Sequence, residues 1–277
     1  MKQYNYTPVL TIAGFDGSGG AGIQADIKTF SALGCYAASV LTALPVQNTQ
    51  GVRNIYPVPI QAVADQIRAV LDDIFPKAIK IGMVHNAELA GIIIDTLAEY
   101  PPIPIVFDPV MVATSGHRLI EEDTISTIIE RLLPIAEIIT PNMDETSILA
   151  KIPVRTLQEM EIAGTKIKSL GTKALLMKGG HQETKKITSV FVDADEKTYR
   201  FETLKFETNN THGSGCTLSS AIAAYIAQGK TLLDAVTLAQ QYVYQAIKQG
   251  KDVVTGKGNG PLNHFFHPQK LIKNEMV

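Results

Sequence analysis

The sequence has no excess of positive charge, few cysteines, and no uninterrupted apolar run long enough to cross a membrane. Its 277 residues carry 25 lysine and arginine side chains against 27 aspartate and glutamate side chains, a formal net charge of −2. Proteins that bind nucleic acid use an excess of lysine and arginine to neutralise phosphates. We therefore expect no nucleic-acid partner.

Cysteine occurs twice, as Cys35 and Cys216. Two thiols are too few for a disulfide framework in a chain of this length, which indicates a reducing compartment. Cys35 lies in an apolar stretch and is predicted to be a packing residue. Cys216 lies between glycine-rich and helical segments, where a reactive role is possible.

Membrane and export signals are missing as well. The longest stretch without charge, residues 29–52, is interrupted by Gly34, Pro45 and the polar run 47–50, so it does not resemble a membrane span. The first 22 residues hold one lysine and a short apolar run that ends in glycine and aspartate, unlike a signal peptide. We expect a cytoplasmic protein with no membrane partner.

Apolar residues make up 45% of the chain and charged residues 19%, which predicts a large buried core. No repeat, low-complexity stretch or linker divides the sequence, so residues 1–277 are predicted to form a single domain. Short runs of valine, isoleucine and leucine alternate with amphipathic segments, the pattern of βαβ units around a mainly parallel sheet. The predicted strands are 9–13, 38–44, 78–81, 103–107, 137–140 and 174–177, and the predicted helices between them are 60–75, 89–100 and 123–133.

The last third of the chain adds a hairpin and two helices to this pattern. Residues 187–193 and 197–206 alternate apolar and polar side chains, which predicts a β-hairpin at the edge of the sheet. From Cys216 apolar residues recur at helical spacing until Gly229. Thr231 and Asp234 then form the sequence of a capping box for a second helix that ends at Gly250.

Polar residues follow the predicted strands directly. In open α/β sheets, ligands bind beyond the carboxyl ends of the strands, so these residues are the first candidates for a site. They are Gly14, Asp16, Gln47, Asp108, Asn142 and Lys178.

A glycine-rich loop, residues 17–22, has the GxGxxG spacing of a dinucleotide site between a strand and a helix. Such a site needs an acidic residue ~20 positions further on. After Asp26 the next acidic residue is Asp65, so the spacing argues against NAD or FAD. Two interpretations stay open, close approach of the glycine backbone to a flat ligand and a tight turn without a ligand.

A second glycine-rich loop, residues 209–218, is the most informative segment. The backbone N–H groups of Gly213, Ser214, Gly215 and Cys216 lie just before or within the first turn of a helix, where they can surround an anion such as a phosphoryl group. At this position the pKa of the Cys216 thiol is expected to fall, and its sulfur could accept a proton from an attacking hydroxyl. An ordinary loop with a packed Cys216 remains the alternative.

Together with other segments of the chain, this loop resembles the hydroxymethylpyrimidine/phosphomethylpyrimidine kinases of thiamine biosynthesis, in the ribokinase-like superfamily. The resemblance rests on an ordered set of segments that spans nearly the whole chain. They are residues 11–16 (TIAGFD), 18–26 (SGGAGIQAD), 80–83 (KIGM), 108–111 (DPVM), 140–145 (TPNMDE), 177–180 (MKGG), 211–217 (THGSGCT) and 256–261 (GKGNGP).

The resemblance implies a three-layer α/β sandwich with a central, mostly parallel sheet and helices on both faces. It implies ATP as phosphoryl donor, Mg²⁺, a pyrimidine methanol as acceptor, and a homodimer. The family's pyrimidine pocket corresponds to Gly14, Asp26, Gln47, Met83 and Val110.

Gln47 is the most specific of these residues, because a side-chain amide offers both a donor and an acceptor to an aminopyrimidine. Related pyridoxal kinases often carry methionine at this position. An ordinary loop amide is the alternative for Gln47. For the protein as a whole, the open alternatives are a pyridoxal or pyridoxine kinase, with or without dual activity, and a non-catalytic sensor of vitamin precursors.

The remaining site residues follow from the same resemblance. Asp108 and Glu145 are the expected metal ligands, since Mg²⁺ prefers carboxylates and water. The expected ATP contacts are Thr140, Asn142, Lys178 and Lys257. Cys216 is the expected proton acceptor in place of the aspartate usual in the superfamily, and Gly213, Ser214 and Gly215 complete the anion site. His212 is interpreted as a positional residue rather than a base.

Overall fold

The structure, a computed structural model, describes residues 2–111, 120–180 and 185–276. Its helices are α1 (Gly22–Ala32), α2 (Ile60–Leu71), α3 (Ala87–Leu97), α4 (Glu122–Thr127), α5 (Met143–Ala150), α6 (Leu157–Lys168), α7 (Ser214–Ala227) and α8 (Leu232–Gly250). A π-helical turn, Ile128–Leu132, continues α4. Its strands are β1 (Tyr4–Tyr6), β2 (Pro8–Ala13), β3 (Tyr36–Leu41), β4 (Ala43–Asn48), β5 (Gly51–Pro57), β6 (Ala78–Ile81), β7 (Ile105–Phe107), β8 (Ile138–Ile139), β9 (Leu175–Met177), β10 (Lys186–Val192), β11 (Thr198–Leu204) and β12 (Lys273–Glu275).

The central sheet has the strand order β11-β10-β9-β8-β7-β6-β2-β3. Six strands of this sheet pair in parallel, namely β3, β2, β6, β7, β8 and β9. The strands β10 and β11 add the antiparallel edge hairpin. Side chains alternate between two cores, one on each face, because successive residues of a strand point to opposite sides. Leu10 and Ile12 face the core with helices α2 to α6, whereas Val9 faces the core with α1, α7 and α8. The predicted three-layer α/β sandwich is confirmed.

The apolar run at residues 38–44 was expected to be one strand and is two. The strand β3 ends at Leu41, and the chain then leaves the sheet at Ala43 to form a separate two-stranded ribbon, β4 with β5. Every residue of β5 is exposed, so this strand has no buried apolar face that a sequence pattern could report, whereas Ala43 and Pro45 of β4 are buried. Gln47 therefore lies on a strand of this ribbon rather than in a loop.

Three further elements differ from the sequence prediction. Helix α6 was not predicted, nor was the small ribbon of β1 with β12, which pairs the two ends of the described chain. Thr231 caps α8 by accepting the N–H of Asp234, but the Asp234 carboxylate bonds the Thr231 hydroxyl, so only half of the capping box forms. Among the described residues, no helix is long and apolar enough to cross a membrane.

Candidate active site

The loops at the carboxyl edge of the parallel strands converge with the N-termini of α1, α5 and α7. Asp108 follows β7, Asn142 caps α5 after β8, and Lys178 follows β9 and forms a parallel bridge with Asn142. Gly213 caps α7 from the opposite side of the edge. The fold thus brings most of the predicted site residues to one edge, as expected for a parallel sheet.

Asp16 organises the first glycine-rich loop. Its buried carboxylate accepts the N–H groups of Ser18 at 2.9 Å, Gly20 at 3.1 Å and Ala21 at 2.7 Å. The imidazole Nε2 of His212 lies 2.8 Å from Asp16 Oδ2. Burial opposes ionisation of Asp16, but the bonds from His212, Ser18 and Ala21 outweigh it and hold its pKa well below the usual range. His212 is thus a positional residue in this structure, as interpreted from the sequence.

The two glycine-rich loops also meet through their backbones. A Cβ on Gly213 would lie 1.7 Å from the carbonyl oxygen of Gly20, and a Cβ on Gly22 would lie 2.3 Å from that of Gly14. Gly213 and Gly22 have φ values of +82° and +55°, which favour glycine. Gly20 therefore allows the two loops to pack together, and Gly22 allows the first loop to approach Gly14 closely.

Part of the predicted anion site is already used. The N–H of Ser214 donates to the carbonyl of Thr211 at 3.1 Å. Within the described residues, the N–H groups of Gly213, Gly215 and Cys216 have no hydrogen-bond partner, and they lie at or next to the positive end of the α7 dipole. Three amides are available to an anion here instead of the four expected.

Cys216 lies half-buried in the first turn of α7. Burial raises the pKa of its thiol to about 11, although the charge of Lys80 and the amide of Gly22 act in the opposite direction. The expected fall of this pKa at the helix N-terminus is therefore wrong, because desolvation outweighs the helix end. Cys35, by contrast, is buried in the core against α7, which agrees with the predicted packing role.

Asp108, Glu145 and Lys178 form a buried charge cluster. The ammonium of Lys178 lies 2.7 Å from Asp108 Oδ1 and 4.0 Å from Glu145 Oε2. Burial raises the pKa of Glu145 to about 7. Burial also opposes the ionisation of Asp108, but the charges of Lys178 and Lys80 lower its pKa on balance. Thr140 donates its hydroxyl to Asp108 at 3.1 Å.

The cluster fits a cation, because a lysine ammonium already lies between its two carboxylates. Both carboxylates also have hydrogen-bond donors within the protein: Asp108 accepts from Lys178, Thr140 and Ser219. Glu145 accepts the N–H of Asn142 at 2.7 Å in the capping box of α5. No group of three or more His, Cys, Asp or Glu residues that could hold a metal ion occurs in the described ranges. Any Mg²⁺ here would take its remaining ligands from water and phosphates, as this ion usually does.

Of the five predicted pyrimidine-site residues, four lie in or beside the loops at the carboxyl edge of the sheet, and Asp26 does not. Gly14 and Met83 adjoin each other, since a Cβ on Gly14 would lie 3.4 Å from the Met83 methyl carbon. The backbone of Gln47 approaches the loop that contains Gly14, because its backbone carbonyl oxygen lies 3.5 Å from a Cβ built on Gly17. Val110 follows Asp108, and its N–H bonds the Asp108 carbonyl at 2.8 Å.

Asp26 does not join them. Its carboxylate is completely buried and accepts hydrogen bonds from Thr11, Lys80 and Ser220. With no exposed oxygen, Asp26 has no direct access to a ligand in this arrangement. This differs from the expected substrate contact.

Lys257 lies on an exposed loop that is attached to the β4–β5 ribbon. The N–H of Gly258 donates to Thr49 Oγ1 at 3.2 Å, and the N–H of Asn259 donates to the Thr49 carbonyl at 2.8 Å. A Cβ on Gly258 would lie only 2.0 Å from that carbonyl. The segment that carries Gln47 and the segment that carries Lys257 are therefore in direct contact through Thr49.

Sequence reasoning missed Lys80 and Thr49 as members of the site and did not assign Asp16 a role beyond a polar strand end. Lys80 lies inside the apolar run of β6, and a lysine within a buried strand is itself an unusual signal. Thr49 gave no signal, because its partners lie more than two hundred residues further along the chain.

Comparison with known proteins shows the family to which the chain belongs. The family model described as phosphomethylpyrimidine kinase matches residues 16–263. A hydroxymethylpyrimidine/phosphomethylpyrimidine kinase of Rhizobium meliloti is 44% identical over 257 residues, covering 92% of this chain and 96% of the relative. A chloroplastic thiamine biosynthetic bifunctional enzyme of Arabidopsis thaliana is 41% identical over 265 residues, covering 95% of this chain but 51% of the relative. The chain thus spans about half the length of such bifunctional relatives.

Two solved structures are similar over most of the chain. A phosphomethylpyrimidine kinase from Clostridium difficile is 41% identical with a TM-score of 0.77, and the match covers 87% of this chain and 99% of that one. The pyridoxal kinase from Staphylococcus aureus in complex with AMP-PCP and pyridoxal is 31% identical with a TM-score of 0.85, covering 98% and 100%.

Proposed function

Because the chain belongs to the phosphomethylpyrimidine kinase family, we propose that it is a phosphotransferase acting on 4-amino-5-hydroxymethyl-2-methylpyrimidine. It transfers the γ-phosphoryl group of ATP to the hydroxymethyl group and, in a second step, phosphorylates the resulting monophosphate. The observation that supports the proposal is the junction of the two glycine-rich loops, where His212 bonds Asp16 at 2.8 Å and the amide of Gly22 bonds Cys216.

In the transfer step, the substrate hydroxyl attacks the γ-phosphorus in line, a new O–P bond forms, and the bond to the β-phosphate oxygen breaks to release ADP. The thiolate form of Cys216 accepts the hydroxyl proton and becomes the thiol. The amides of Gly213, Gly215 and Cys216 stabilise the negative charge on the transferred group, since oriented backbone donors favour the transition state. Gln47 orients the aminopyrimidine, and Gly14, Met83 and Val110 form the surrounding pocket.

The nucleotide side of the site consists of Thr140, Asn142, Lys178 and Lys257. Lys178 is buried beside two carboxylates, which raise its pKa against the effect of burial and keep it charged for contact with phosphate. Asp108 and Glu145 would hold Mg²⁺, which neutralises phosphate charge when bound.

The proposal also includes a homodimer in the cytoplasm. The β4–β5 ribbon supports association, because it exposes a set of large apolar side chains that a second copy could cover. These are Leu44, Val46, Val52, Ile55 and Tyr56. Size-exclusion chromatography with light scattering tests the dimer, and the single-domain organisation is tested by a single unfolding transition.

The decisive experiment supplies ATP and Mg²⁺ with the pyrimidine, its monophosphate or pyridoxal in separate reactions and identifies the products by mass. We expect mono- and diphosphate products from the two pyrimidines. Phosphorylation of pyridoxal alone would replace the proposal with pyridoxal kinase, the activity of the structurally similar Staphylococcus aureus protein. If no acceptor gave ADP, the kinase proposal would be refuted, and the non-catalytic sensor of vitamin precursors would be the remaining alternative.

A further inference from the structure

Lys80 and Asp26 form a buried ion pair beneath the active-site edge. Both side chains are completely buried, and the ammonium lies 3.0 and 2.9 Å from the two carboxylate oxygens. Removing two charges from water costs several kcal/mol per ion, and apolar replacement of such pairs is often neutral or stabilising. Stability alone is therefore a weak explanation for a charged pair inside this strand and helix.

The pair is connected to both helices that flank Cys216. Asp26 lies on α1 and accepts the hydroxyl of Ser220 on α7 at 2.6 Å. It also accepts the hydroxyl of Thr11 on β2 at 2.6 Å. One cluster thus joins β2, β6, α1 and α7, with no acceptor oxygen of Asp26 left over.

The spacing of these contacts places the cluster directly behind the thiol. Ser220 follows Cys216 by four residues on α7, and Asp26 follows Gly22 by four residues on α1. Residues four apart lie on the same face of a helix. The bond between Ser220 and Asp26 therefore fixes the two first turns against each other, where Cys216 meets the amide of Gly22.

Four charged groups act on Cys216 from the elements packed around it. Lys80 from β6 and Lys178 after β9 favour the thiolate, whereas Asp26 from α1 and Asp108 after β7 oppose it. Lys80 has the largest electrostatic effect of the charges acting on the thiol. Its ammonium stays protonated: burial lowers its pKa, but the combined attraction of Asp26, Cys216 and Asp108 outweighs burial and raises it.

We propose that Lys80, paired with the Asp26 carboxylate that Ser220 joins to α7, is a positioning residue for phosphoryl transfer that supports the Cys216 thiol as the proton acceptor. This inference rests on the proposed kinase function for its catalytic consequence. Its effect on the thiol is independent of the substrate. Lys80 touches neither substrate nor nucleotide in this role and acts through Cys216.

The experiment measures the alkylation rate of Cys216 by iodoacetamide at pH 8.5 in a Cys35→Ala background, which leaves one thiol. The double variant Lys80→Met/Asp26→Asn removes both charges with little change in volume. Because the lost effects of Lys80 and Asp26 on the thiol partly cancel, we expect alkylation to slow about threefold, equivalent to half a pKa unit. We expect kcat to fall by at least as much, with the KM for ATP within about twofold. The exposed Lys77→Met variant is the matched control and should match the parent in both rates.

Unchanged alkylation in a folded double variant would overturn the proposal, whatever the turnover. Should the double variant fail to fold, Ser220→Ala keeps both charges and removes one hydrogen bond. This bond goes to a charged carboxylate, so its loss is expected to slow alkylation and turnover by about threefold or more each. Parent-like values for both rates in Ser220→Ala would then overturn it. Loss of kinase activity with all acceptors would refute the proposed function, while the alkylation rates would still report on Lys80.

Discussion

The imidazole of His212 bonds the carboxylate of Asp16 across 2.8 Å, although the two residues are 196 positions apart in the chain. This contact joins the loop that begins α1 to the loop that begins α7. Asp16 also bonds three amides of its own loop, so one carboxylate holds the first glycine-rich segment and attaches it to the second. The geometry of the anion site depends on this pair.

Replacing Asp16 with asparagine should lower the free energy of unfolding by roughly 2 kcal/mol or more at pH 7, because a buried charged acceptor with several donors is lost. The pKa of Asp16 is lowered in the folded state, so its contribution is fully present above the unfolded pKa, 3.8, and declines as the pH falls below that value. Urea unfolding of the parent and of Asp16→Asn at pH 7 and pH 3 measures this contribution to the free energy of unfolding. The gap between parent and Asp16→Asn should narrow at pH 3, and an equal gap at both pH values would contradict the prediction.

Cys216→Ala should reduce kcat by ~10²-fold with little change in ATP affinity, the scale expected for a lost proton acceptor. Because the pKa of the thiol is raised to about 11, the deprotonated form grows with pH. The parent's kcat/KM for the pyrimidine should therefore rise between pH 6 and 9, and the variant's residual rate should lack this rise. Cys35→Ala is the control with parent-like turnover. Near-normal turnover of Cys216→Ala would remove the thiol from the proton-acceptor role.

Gly258→Ala should disturb the contact between the ribbon and the Lys257 loop, since its Cβ would lie 2.0 Å from the Thr49 carbonyl. We expect the KM for the pyrimidine to rise about tenfold, equivalent to ~1.4 kcal/mol, with little change in melting temperature because the loop is exposed. Steady-state kinetics and thermal unfolding measure the two effects. Gly91→Ala, on helix α3 away from the site, is the control. A parent-like KM would show that the Thr49 contact has no role in substrate binding.

Gln47→Met should reduce kcat/KM for the aminopyrimidine by about tenfold or more, the cost of leaving substrate donors and acceptors unmatched. The value for pyridoxal should change less, because the exchange removes contacts specific to the amino group and ring nitrogen. The informative quantity is the ratio of the two kcat/KM values in parent and variant. An unchanged ratio would show that Gln47 does not determine the substrate.

Asp108→Asn should raise the Mg²⁺ concentration for half-maximal activity by ~10–100-fold, the usual effect of weakening a metal site. Activity titrations with MgCl₂ at saturating ATP measure it, after chelation by EDTA has abolished the parent's turnover. Asp95→Asn, an exposed carboxylate on α3, is the control. A parent-like titration would exclude Asp108 as a ligand.

The sequence predicted the sheet well where strands are buried on both faces. Runs such as Ile105–Phe107 and Leu175–Met177 are apolar throughout because each side chain enters one of the two cores. The β4–β5 ribbon could not be found this way, since Val46, Val52 and Ile55 are apolar and yet exposed. Whether these side chains are buried depends on the elements that pack against the ribbon, and local composition does not contain that information.

In the candidate site, too, features that follow from local sequence were predicted, and features that depend on contacts between distant segments were not. The convergence of Asp108, Asn142 and Lys178 follows from one rule about strand ends. The raised pKa of Cys216 and the saturated carboxylate of Asp26 do not, because both arise from side chains that approach from other elements. Helix position alone predicted the wrong direction for the thiol.

The small ribbon of β1 and β12 has a consequence for how the chain can be rearranged. Tyr4 pairs with Glu275, and the ammonium of Lys2 lies 2.8 Å from the Glu275 carboxylate, so the first and last strands run side by side. They lie next to the amino end of β2, whereas the site is at the carboxyl ends. A short peptide joining residues 2 and 276, with a new opening at the exposed turn between Asp193 and Lys197, would give a permuted form of the described chain in which the loops of the candidate site stay intact.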